Sequence, residues 1–125
     1  MTDEQLTELP SLIERGVALF DELYEGREWL HNIDLNTLDM QYLHKDIVCQ
    51  AMGLEEPDFN DYHTALDMIH LDREMKILCG FDTPKDAYET SDYFILTEMW
   101  KAKINDLKQK EGVSLNPPDF IGDSN

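Results

Sequence analysis

Four side chains could do chemistry together if a helix carried them: His63, Asp67, His70 and Glu74. They stand at i, i+4, i+7 and i+11, and at about 100° per residue they fall within roughly 60° of arc. Imidazole and carboxylate ligands at that spacing can share a zinc or iron ion. Two features weigh against a metal centre. The stripe borders the apolar face of Phe59, Tyr62, Leu66 and Ile69 without lying inside it, as a solvated polar side would. No second histidine–carboxylate helix supplies further ligands. The expectation is therefore a solvated face with no resident metal and no cofactor. His63, Asp67 and His70 are the residues that would hold an ion if one were bound.

Nucleophilic chemistry has less support. The sequence has no G-x-S-x-G elbow, no C-x-x-C pair and no glycine-rich phosphate loop. Cys49 lies five residues after His44 on one expected helix, a poor geometry for a nucleophile and its base. Acidic pairs are so numerous that none is singled out. No catalytic residue is assigned, and the chain reads as a protein that is not an enzyme.

The acids are the remaining candidate. Twenty-seven acidic residues against ten basic ones leave a net charge of −17 and a pI near 4.3. Such a chain repels nucleic acid and anionic membrane, so neither is an expected partner, whereas a basic protein surface is. Twelve acids between Glu55 and Glu98 face only Arg73, Lys76 and Lys85. Glu55, Glu56, Asp58, Asp61, Asp67, Asp72 and Glu74 are the expected partner-binding residues. Held on helical surfaces, such carboxylates offer a DNA-binding protein a counterion release like that from phosphates. The plain alternative is a solvated face that serves solubility. The lysines from Lys101 to Lys110 keep the surface from being uniformly negative.

The elements that must position these residues read as helices. At 125 residues and 42% hydrophobic, the chain suits one domain with a real core. Leu12, Ile13, Val17, Phe20, Leu23 and Tyr24 recur at helical steps from Pro10 onward, with Gly26 a plausible stop. Gly16 either weakens that helix or admits a close neighbour. The stretch from Trp29 to Gly53 reads as a structural hub: a compact connector capped by Asp34 and Asp39, then a short helix from Tyr42 or His44 to Met52. Trp29, Ile33, Leu35, Leu38 and Trp100 are the expected anchors. One helix over 58–79, or two broken near Leu71, comes next, with Gly80 as its C′ residue. The clearest stripe is Tyr93, Leu96, Trp100, Ile104 and Leu107, opened by Thr90 or Ser91.

The expected fold class is thus all-α, a compact single-domain bundle of four or five helices. It occupies residues 1–112, and residues 113–125, with Pro117 and Pro118, form an extended or disordered tail that could dock Leu115, Phe120 and Ile121. Cys49 and Cys79 sit in apolar contexts and read as buried free thiols. With no signal-peptide pattern and no apolar run of about 18 residues, the expected location is the cytoplasm.

Several short motifs recur in an ordered outline: Trp29, Ile33-Asp34-Leu35, Leu38-Asp39-Met40, Gln50 and Gly53, then Gly80-Phe81-Asp82, Tyr93, Leu96-Thr97 and Trp100. This outline resembles a family of small uncharacterised proteins of actinobacterial phages and related bacterial genomes, over roughly residues 16–104. The chain departs from it where members often carry a cysteine pair, having Leu43 and Asp46, and where they have a glycine before the glutamine, having Cys49. The resemblance implies a phage-related origin, in a host cell's cytoplasm, and brings no activity with it. With the charge, it leads to an expected acidic accessory protein that binds and inhibits a host nucleic-acid-handling protein of defence or transcription. The alternative expectation is a small scaffolding subunit docking on a larger phage assembly. The oligomeric state stays open.

Overall fold

The computed structural model describes residues 1–42, 45–54 and 71–113. Among them the chain is helical and has no strand. In order come α1 (Asp3–Leu23), a 3-10 turn (Glu25–Asn32), α2 (Ile47–Ala51), α3 (Arg73–Leu78) and α4 (Thr90–Glu111). The all-α bundle expected from the periodicity is the fold observed.

Helix α1 starts earlier than its apolar stripe suggests. Thr2 and Gln5 form a capping box, each side chain taking the other's backbone N–H. Pro10 therefore lies inside the helix rather than at its start. Its ring removes one N–H, yet Leu9 and Ile13 on either side are buried and hold the helix against the core. Gly16 proves to be a contact point. A Cβ there would collide with the Cys79 carbonyl and come within 3.0 Å of Phe81 and Trp100.

Four rings connect the elements through the core. Phe20 of α1 lies 4.8 Å from Trp29 of the 3-10 turn and 5.0 Å from Phe81. Phe81 in turn stacks on Trp100 of α4 at 5.9 Å. Both buried indoles find acceptors, as buried Trp must. Trp29 donates to Asp21 Oδ1 at 3.0 Å and Trp100 to the Gly80 carbonyl at 2.5 Å. Gly80 offers that carbonyl from a left-handed conformation, φ +70°, where its N–H bonds to Ile77 O and the Phe81 N–H to Lys76 O. This pair of bonds closes α3 and turns Phe81 inward. The same two-bond closure ends α2 at Gly53 and α4 at Gly112, so Val113 bonds back to Lys108 O.

The hub is held by polar contacts at each turn. Asp34 Oδ1 accepts from the Asn36 N–H, and Asp39 Oδ1 from that of Gln41. Gln50 clamps the loop between them, accepting from the Asp34 N–H and donating to Lys45 O. The buried Thr97 hydroxyl of α4 accepts the Met40 N–H at 2.9 Å. Trp29, Ile33, Leu38 and Trp100 are buried, and Leu35 is half-buried against them. Helix α2 begins only at Ile47, later than expected, because Asp46 takes the Cys49 N–H and acts as its N-cap. Asp72 is likewise extended and caps α3, so a continuous helix over 58–79 is ruled out.

Two buried charges give testable pH dependence. Lys108 continues the α4 stripe one turn past Ile104 and is fully buried, donating to Ile33 O at 2.6 Å. It was expected as a solvated charge near the helix C-terminus, but its spacing from Trp100 and Ile104 carries it inward. Burial lowers its pKa below the ordinary 10.5, with Asp34 opposing. Between the folded value and 10.5 the unfolded chain holds a proton that the fold has released, so this residue's contribution grows as pH rises through that window. Denaturation of the protein and of Lys108→Met at pH 7 and pH 10 is expected to show the balance moving toward the wild type at the higher pH.

The other charge pair joins the chain's start to α4. The Met1 ammonium lies 2.5 Å from Asp92 Oδ1, while Asp92 Oδ2 accepts from the Glu89 N–H. The bond from the Met1 ammonium is the largest cause holding the Asp92 carboxyl below its usual value, with the Glu89 N–H adding to it and burial opposing. This contribution is present above the unfolded pKa, about 3.9, and disappears as pH falls through the lower folded value. Asp92→Asn is therefore expected to melt lower than the wild type at pH 7, with the gap closing in strong acid.

Candidate functional site

The structure divides the acids by type. Asp21, Asp34, Asp39, Asp46, Asp72, Asp82 and Asp92 each accept a hydrogen bond from a backbone N–H or an indole. Apart from Asp21, which takes the Trp29 indole, their short side chains reach back to the main chain and build caps and turns. Most of the described glutamates are spent differently. Glu4, Glu8, Glu22, Glu25, Glu28 and Glu74 are exposed and make no ion pair among the described residues. Their longer side chains stand in solvent on the surface.

Of the expected partner-binding residues, Asp72 and Glu74 stand at the start of α3, both exposed. Asp72 also serves as the N-cap, so its role is partly local. Glu55, Glu56, Asp58, Asp61 and Asp67 lie outside the described residues, as do His63 and His70 of the helical stripe. So do His44 and the tail residues Leu115, Phe120 and Ile121. Among the described residues, no three histidine, cysteine, aspartate or glutamate side chains are grouped to hold a metal. Nor is any helix among them long and apolar enough to cross a membrane.

The thiols are poor nucleophiles. Cys49 and Cys79 are both free and buried. Burial pushes the Cys49 thiol far up, and the neighbouring Asp46 carboxylate adds to the shift. Burial also raises Cys79, against a smaller opposing effect of Arg15. A thiolate is the reactive form, and neither site favours it.

The described surface is indented where the 38–42 turn meets the first half of α4. One cleft of about 220 Å³ is lined by Leu38, Asp39, Gln41, Phe94, Glu98 and Lys101 among others. A second, of about 210 Å³, lies across Gln41, which lines both. It is bordered by Tyr42, Lys76, Asp82 and Tyr93. Gln41 reaches Thr90 Oγ1 at 3.4 Å and so ties the dividing turn to α4. Two large rings stand open at these rims, Phe94 at 63% exposure and Tyr42 at 52%. Sequence reading passed over Phe94, although its place is legible: it follows Tyr93 directly and so falls off the apolar stripe of its helix.

Cations already rest on exposed rings of this molecule. The Lys45 ammonium lies 5.5 Å from the Tyr42 ring centroid and the Arg73 guanidinium 5.8 Å from that of Tyr88. What the described surface presents is therefore open glutamates, shallow polar clefts and cation-accepting rings. Compared with protein-family models, curated proteins and solved structures, this chain matches none.

Proposed function

We propose that this chain is an acidic binding protein that docks on the basic surface by which another protein handles DNA or RNA, and inhibits it by occupying that surface. The observation that carries the reading is the net charge of −17, together with exposed glutamates that no cation within the described residues neutralises. A basic groove built for phosphates gains the same counterion release from such carboxylates. The charge also disfavours the acidic chain's own contact with nucleic acid. The motif outline supports a phage-related origin, for which a host defence or transcription protein is the fitting target.

The test is affinity capture from the native host followed by mass spectrometry. The expected catch is a nucleic-acid-handling protein that leaves the column as salt is raised from about 50 mM to about 500 mM. Capture of a large phage assembly at all salt concentrations would support the scaffolding role instead. Inhibition is then measured on the partner's own nucleic-acid binding, which is expected to fall as this protein is added.

A further inference from the structure

We infer that the cleft beside Phe94 seats an arginine of the basic partner, its guanidinium stacked on the Phe94 ring and paired with Glu98 and Asp39. This rests on the reading of the chain as a partner for basic protein surfaces and names where the contact is made. Three observations carry it. Phe94 is the most exposed of the large apolar side chains described, at 63%, and it borders a cleft rather than standing on a flat surface. A ring face left open in this way attracts a cation. The lining sets two carboxylates, Asp39 and Glu98, against the single ammonium of Lys101.

The carboxylates remain able to bind. Asp39 uses Oδ1 for the Gln41 N–H, and Oδ2 takes no hydrogen bond among the described residues. Glu98 meets Lys101 at 3.7 Å, with side chains 51% and 34% exposed. A long surface pair one helical turn apart is weak and yields to a better donor. Arginine is favoured over lysine because its planar fork can stack on a ring and pair with a carboxylate at once. The rings of Tyr88 and Tyr42, each with a cation less than 6 Å from its centroid, show the same attraction inside this protein.

The experiment uses two fluorescent peptides of identical length and charge, one carrying six arginines and the other six lysines, each spaced by glycine. They are titrated into the full chain, into Phe94→Ala, and into a Glu4→Gln/Glu8→Gln control. The arginine peptide is expected to bind about fivefold tighter than the lysine peptide. Phe94→Ala is expected to abolish that preference without lowering the melting temperature, since the side chain is exposed. The control, altered on α1, is expected to weaken both peptides alike and keep the preference. Equal binding of the two peptides, or a preference that survives Phe94→Ala, overturns the arginine site while leaving the broader charge reading in place. If neither peptide binds at low salt, the broader reading falls together with the site.

Discussion

Trp100→Ala is expected to be the most damaging single substitution, lowering stability by about 3–5 kcal/mol. Its side chain is fully buried and belongs to the run of rings from Trp29 through Phe20 and Phe81. Truncation opens a cavity where α4, α1 and the Gly80 corner meet. It also strips the Gly80 carbonyl of its indole donor, and an unmatched buried acceptor costs about 1–3 kcal/mol by itself. Domains of this size hold a total stability of about 5–15 kcal/mol, so the variant would lose a large share of it. Trp100→Phe keeps a ring in the core while losing the donor and part of the indole's volume, so its difference from the alanine variant reports the packing of the remaining ring. Urea denaturation followed by circular dichroism measures both. A loss under about 1 kcal/mol for the alanine variant would show that the rings do not bear on one another as described.

Gly16→Ala carries the second large effect, and its sign is contrary to helix propensity. In an open helix the change would stabilise by about 1 kcal/mol. Here the new methyl would meet the Cys79 carbonyl, part of a backbone that cannot rotate away, and the Phe81 ring at 2.9 Å. Helix α1 must then lift from the corner that ends α3, loosening the packing around Trp100. Overpacking of this kind costs about 1–3 kcal/mol or more, and a net loss of roughly 2 kcal/mol is expected after the propensity gain. Gly26→Ala is the comparison. No atom lies within 4 Å of its added Cβ, and its φ of +63° alone opposes the change, for about 1 kcal/mol. Equal losses at the two positions, read from the same denaturation curves, would contradict close contact at Gly16.

Much of the fold was legible because it rests on periodicity and local capping. The stripe Tyr93, Leu96, Trp100, Ile104 and Leu107 predicts a helix, and in α4 the last four are buried while Tyr93 is half-buried. The capping roles read for Asp34 and Asp39 correspond to hydrogen bonds inside the hub. What escaped was decided by competing local effects. Pro10 on its own suits the first turn of a helix, but the Thr2–Gln5 capping box starts α1 a full two turns earlier. Lys108 has a charged side chain that suggests solvent, although its position continues the apolar stripe, and the nearby Ile33 carbonyl gives its ammonium an acceptor. The contact between Met1 and Asp92 spans 91 residues and has no local signature at all.

The candidate site was less legible for a related reason. An acidic total says nothing about which carboxylates are free, since aspartates and glutamates count alike in composition. Only the folded chain separates aspartates occupied with caps from glutamates left open. It also sharpens the motif outline. Asp34 with Gln50, Met40 with Thr97, and Gly80 with Trp100 are hydrogen-bonded pairs, so these marks build the hub and core. The proposed recognition surface lies elsewhere, on the outer helix faces and around Phe94.

The central claim is that this surface is read as charge, and one measurement addresses it directly. The dissociation constant for the captured basic partner is determined at about 50, 150 and 500 mM salt, and its logarithm is plotted against that of the salt concentration. Recognition by exposed carboxylates predicts at least about a hundredfold weakening across that range. An affinity that stays constant across the range would contradict the account.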